Sequence, residues 1–148
     1  MLIVSQNALN HQIVFPEDTV FRINLAWINS IEELENLLQK HETKSIFLDL
    51  PKGRVKPPNN RYNLEDLFRI LNVYKNIKYF AISNVNSPDD LDIYIKVMPK
   101  NIVLVPKIES PIGVLNIQEI IEHIPTNEKI IMLDHDDLYS NLIKNKEP

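Results

Sequence analysis

The sequence predicts an α/β fold made of parallel (β/α) units of a TIM barrel, incomplete, with five or six of the eight strands present. Three observations predict it. Short apolar runs centred near residues 22, 48, 80, 104 and 132 alternate with amphipathic helical segments, so a strand-then-helix unit recurs every 24 to 32 residues. Polar and charged residues gather where the runs end: Arg22 and Asn24, Asp49, Ser83, Lys107 and Glu109, and Asp137. Chemistry spread over many strand ends suits a barrel, whose site lies at the C-terminal rim. Third, the stretch after the first confident strand, 22–30, lacks the glycines with which a doubly wound nucleotide fold turns toward phosphate. A complete barrel takes about 250 residues. The 148 residues here therefore read as a single partial barrel domain: a shortened piece, a natural remnant, or a part completed by another chain.

In chain order, Leu2 to Val4 is a short apolar opening and 20–26 (VFRINLA) is the first confident strand. Ser30 with Glu33 three residues on forms a capping box for an amphipathic helix through Leu34, Leu37 and Leu38 to about His41. Residues 45–50 (SIFLDL) make the next strand. The prolines and Gly53 of 51–60 make a loop, in which Lys52, Arg54 and Lys56 read as solvated charges. Asn63 caps a helix over 64–76, with Asp66 in its first turn, where the helix dipole favours a carboxylate. Residues 78–83 form a strand. Ser87, Pro88, Asp89 and Asp90 then supply an N-cap, an N1 proline and two first-turn acids for a helix to about Val97. A strand over 101–105 leads through Pro106 to Lys107. A helix over roughly 114–124, a strand over 129–134 and a helical segment from Asp136 to Lys144 complete the series.

Composition narrows the function. A net charge of −4 with no basic stripe argues against a nucleic-acid partner. Zero cysteines exclude thiol nucleophiles and thiolate metal sites and fit a cytoplasmic protein. No apolar run approaches the roughly 18 residues of a membrane span, and the opening residues lack a positively charged secretory start. His11, His41 and His123 read as surface residues, and Trp27 as a packing residue. His135, among three aspartates, is open to a general acid/base role.

The strand ends resemble a family. Arg22-Ile23-Asn24-Leu25-Ala26-Trp27 is similar to the R-L-N-F-S-H strand end of the pyruvate kinase barrel, and Leu48-Asp49-Leu50-Pro51-Lys52-Gly53 to its L-D-T-K-G-P. Ala81-Ile82-Ser83-Asn84-Val85 is similar to its A-S-F-V. Lys107-Ile108-Glu109, Gly113-Val114 and Asn116-Ile117 resemble K-I-E-x-x-x-G-V-x-N-I, and Ile131-Met132-Leu133 with Asp137-Leu138 resembles I-M-V-A-R-G-D-L. The likeness covers about 20–140, in the family's order. It places the chain near the phosphoenolpyruvate and pyruvate enzymes, which include metal-dependent aldolases and citrate-lyase-like proteins.

The resemblance implies that Glu109 and Asp137 hold a divalent cation, Mg or Mn, with Lys107 beside the developing anion and Arg22 on an anionic substrate group. It implies that Asn24 and Asp49 match monovalent-cation positions and that Ser83 lines the pocket. Ala26 and Leu50 replace the serine and threonine of the monovalent-cation site, and His135-Asp136 replaces an Arg-Gly pair. Residues 51–62 stand where the kinase carries its lid domain. The expectation is therefore lyase or aldolase chemistry on a small oxo acid rather than phosphotransfer. The alternative is a non-catalytic barrel fragment that self-associates or lays its open sheet edges against a partner chain.

Overall fold

The computed structural model describes residues 1–54, 57–58 and 60–145; Lys56 of the charged loop lies outside them. Six strands form one sheet: β1 (Leu2–Ser5), β2 (Thr19–Asn24), β3 (Ser45–Leu50), β4 (Ile77–Ile82), β5 (Val103–Ile108) and β6 (Met132–Leu133). Every adjacent pair is parallel and the spatial order equals the chain order. Each unit thus adds its strand to the same growing edge, whereas a doubly wound sheet reverses direction. The sheet curls, because residues from β1 and β2 and the segment 130–133 line opposite walls of one groove. This is a curled, all-parallel half-barrel sheet.

Side-chain alternation sorts the sheet into two faces. Phe21 and Ile23, Ile46 and Leu48, Phe80 and Ile82, and Leu104 and Ile108 belong to the large core shared with helices α1 (Ile31–Lys40), α2 (Leu64–Val73) and α5 (Ile117–His123). Val20, Phe47, Ala81 and Val105 form a second, smaller cluster on the inner face. Continuing the alternation along the inner face brings Arg22 and Asn24, Asp49, Ser83, and Lys107 and Glu109 to the C-terminal rim.

Local signals place the helices. Ser30 Oγ accepts from Glu33 N–H, and the Glu33 carboxylate accepts from Asn29 N–H, one residue before the cap. Asn63 Oδ1 accepts from Glu65 N–H. At Ser87 both bonds of a capping box are present, but Pro88–Leu91 is a 3-10 turn before α3 (Asp92–Val97).

Several expected bounds are corrected. β2 stops at Asn24 because its side chain caps a 3-10 turn over Leu25–Trp27. The helix expected over 64–76 ends at Val73. β5 begins at Val103 and continues through Pro106 to Ile108. Pro106 is tolerated because pairing to β6 starts only at Lys107, so the strand has one partner at that point. The helix expected over 114–124 is two, α4 (Pro111–Leu115) and α5, separated by the non-helical Asn116, whose amide donates to Asn86 C=O. The strand expected over 129–134 pairs only at Met132 and Leu133, and α6 (His135–Asn145) follows. Trp27 is 61% exposed and lines the groove rather than packing inside. His41 is half-buried, its Nε2 enclosed without a hydrogen bond. Lys52 is not merely solvated, since its Nζ lies 2.8 Å from Asp90 Oδ1. No described helix is long and apolar enough to cross a membrane.

Candidate metal centre

Five strand ends converge on one rim cavity, with Arg22 and Asn24 from β2, Asp49 from β3, Ser83 after β4, Lys107 and Glu109 from the end of β5, and Asp134 after β6. Lys107 sits at its centre, nearly buried. Its Nζ lies 2.9 Å from Glu109 Oε1, 3.5 Å from Asp49 Oδ2 and 3.6 Å from Asp134 Oδ2, and it donates to Ser83 Oγ at 3.0 Å. Arg22 donates to Asp49 Oδ2 from Nε at 2.9 Å and from Nη2 as well. Burial opposes the Lys107 charge, but the Asp49 and Glu109 carboxylates outweigh it and hold the ammonium above the usual lysine range. Lys107 is therefore a fixed cation at neutral pH.

Glu109 is the least ordinary carboxylate of the set. It is 3% exposed, and burial lifts its pKa above the usual glutamate range against the pull of Lys107, while Asp134 and Asp137 push it further up. Its Oε2 accepts from Asn84 N–H at 3.1 Å. Its Oε1 pairs with the Lys107 ammonium at 2.9 Å. Glu109, Asp134 and Asp137 each bring one carboxylate oxygen within 4.8 Å of the others. These are hard oxygen donors, the type that Mg and Mn take. The residues present fit such an ion.

The expected residues fall into separate groups. Arg22, Asp49, Ser83, Lys107 and Glu109 meet in one network, and Asp137 stands beside it at the first turn of α6. Asn24 lines the same cavity, but its Oδ1 is taken by Ala26 N–H and its own N–H by Gln6. Asp136 points away, 88% exposed, and pairs with the equally outward His135, so neither charge enters the cavity. The general acid/base role open to His135 finds no support in that position. Asp134 is the residue missed: it follows β6 directly, and its N–H donates to Ile108 C=O, which draws it against the end of β5. Its position at the cap of a helix, three residues before Asp137, was the readable signal, since a cap residue and the third residue after it lie close together.

No protein-family model matches the chain, and no curated protein matches it. Among solved structures it is similar to RipC from Yersinia pestis, with a TM-score of 0.54 and 20% identity over 83% of this chain and 55% of RipC. The likeness is one of fold alone. This chain spans about half the length of that protein. It shares the α/β architecture of that protein.

Proposed function

We propose that the rim binds one divalent cation, Mg or Mn, with the oxygens of a small oxo acid, and performs lyase or aldolase chemistry on it. The observation that carries the reading is the Glu109 carboxylate: buried, paired with Lys107, and within 4.8 Å of oxygens from Asp134 and Asp137. The acidic groups gather around Lys107, while Lys52, Arg54 and Lys144 also line the cavity. When bound, the divalent cation would stabilise negative charge developing on a substrate oxygen.

The chain's own residues have distinct parts in this reading. Lys107 stays protonated and gives a fixed positive charge beside the reacting group, locked by Asp49, Glu109 and Ser83 so that it costs little reorganisation. A guanidinium has five N–H donors, of which Asp49 takes two from Arg22. The rest can hold a substrate carboxylate. Asp49 keeps Arg22 in that posture.

The test is a thermal-unfolding titration with Mn or Mg, alone and with pyruvate or oxalate. Ligands that bind only the native state must raise the midpoint. A midpoint that stays still at saturating concentrations would remove the reading.

A second reading, a non-catalytic module that self-associates or takes a partner chain along its sheet edges, is favoured by a different observation. The inner groove, about 930 Å³, is walled by Ile3, Phe47, Val105, Met132 and Leu133, with Ile3 and Leu133 exposed. Sedimentation that shows a concentration-independent monomer would count against it.

A further inference from the structure

Beside the acidic rim the backbone takes a disfavoured turn. Among the described residues Asn84 is the one non-glycine residue with positive φ, at 56°. That left-handed region is sterically poor for residues with a Cβ, Asn and Asp being the most tolerant, and it persists where surrounding contacts hold it. Asn84 N–H donates to Glu109 Oε2 at 3.1 Å and the next N–H, of Val85, donates to Lys107 C=O at 3.1 Å. The Asn84 side chain donates to Lys52 C=O at 2.8 Å, and Gly53, itself at φ 76°, packs against that amide. One turn therefore grips the end of β5 with its backbone and the loop after β3 with its side chain.

We infer that Asn84 is a positioning residue for Glu109: its left-handed turn aims a backbone N–H at Oε2 and so fixes the rotation of a carboxylate whose Oε1 meets Lys107 and which lies beside Asp134 and Asp137. This inference rests on the metal reading above. A carboxylate that ligates a metal needs its rotation fixed, and outer partners of this kind typically alter metal affinity by about 10- to 100-fold. The backbone does the positioning, and the amide side chain serves to hold the loop.

The test compares Mn binding by electron paramagnetic resonance in wild type, Asn84→Gly, Asn84→Ala and Asn84→Val, at a temperature where circular dichroism shows each protein folded. Glycine accepts the left-handed turn and keeps the N–H, so Asn84→Gly should bind as wild type does. A β-branched valine cannot hold that turn, so Asn84→Val should bind about tenfold more weakly or worse. Asn84→Ala should fall between, and it carries the comparison if the valine variant does not fold. A purely structural role would lower the thermal midpoint and leave the affinity of the folded protein unchanged. Wild-type affinity in folded Asn84→Val or Asn84→Ala overturns the inference, as does a loss in Asn84→Gly equal to that in Asn84→Val. If wild type itself binds no Mn, the metal reading fails first and takes this one with it; wild-type binding with unaffected variants sinks the role of Asn84 alone.

Discussion

Glu109→Gln isolates the charge at the rim while preserving the shape of the side chain. The carboxyl is raised in pKa by its burial, so its ionised form is disfavoured in the metal-free fold, and neutralising it should leave the midpoint without added metal equal to wild type or higher. Lys107 still faces Asp49 and Asp134 in the variant. With metal the order reverses. At a Mn concentration 100 times the wild-type Kd, wild type gains about 2.7 kcal/mol, which is roughly 5–11 °C for a chain of this size. Loss of one of three charged ligands should weaken binding by about 100-fold, and the same Mn concentration then gives the variant only about 0.4 kcal/mol, near 1 °C. Differential scanning fluorimetry with and without chelator reads both effects. The reasoning is refuted if Glu109→Gln gains as much from Mn as wild type does, or if the metal-free variant is clearly the less stable protein.

Two further outcomes follow from the same network and its surroundings. Between the unfolded pKa of 4.5 and its raised folded value, Glu109 binds more protons in the native state, so its contribution to stability is full below pH 4.5 and declines as pH rises through the folded value. Metal-free wild type should therefore lose stability relative to Glu109→Gln on going from about pH 4 to about pH 7, measured by urea unfolding at each pH; a flat or rising difference would contradict it. Gly113 has no room for a side chain, since a Cβ there would lie 2.6 Å from Val85 C=O and 3.2 Å from an Ile108 methyl. Gly113→Ala should cost about 1–3 kcal/mol in chemical denaturation, and no cost would mean that the turn at Asn84–Val85 moves aside freely.

The strand ends were legible because burial and charge leave opposite marks on a sequence. In 45–50, four buried positions flanked by half-buried ones reproduce the expected strand to the residue, and Asp49 stands out as the acid within an apolar run. The caps at Ser30, Asn63 and Ser87 were equally plain, since each rests on a local side-chain preference. What failed depended on neighbours far along the chain. Pro106 reads as a strand breaker, and only the late start of β6 pairing makes it harmless. Asn116 sits within an apolar helical spacing, and only Asn86, 30 residues earlier, pulls it out of the helix. The Ser110-Pro111 pair that opens α4 repeats the signature of Ser87-Pro88, yet the apolar spacing from Val114 onward conceals it. At the rim, Asp134, Asp136 and Asp137 are alike as letters; a bond from Asp134 N–H to β5 draws that residue to Glu109, and the facing of α6 separates Asp137, at the cavity mouth, from Asp136, which points away.

The sequential strand order has a mechanical consequence at this rim. Glu109 belongs to the buried end of β5, whereas Asp134 and Asp137 ride on the last unit, whose strand is two residues long and whose helix α6 is tied back by Asn141 Nδ2 donating to Glu109 C=O at 2.6 Å. An ion shared among these three carboxylates would act as a clasp between a firm body and a loosely paired arm. Filling the clasp and docking the arm would then be one thermodynamic event, and amide protection in 135–145 would rise and fall with the ion.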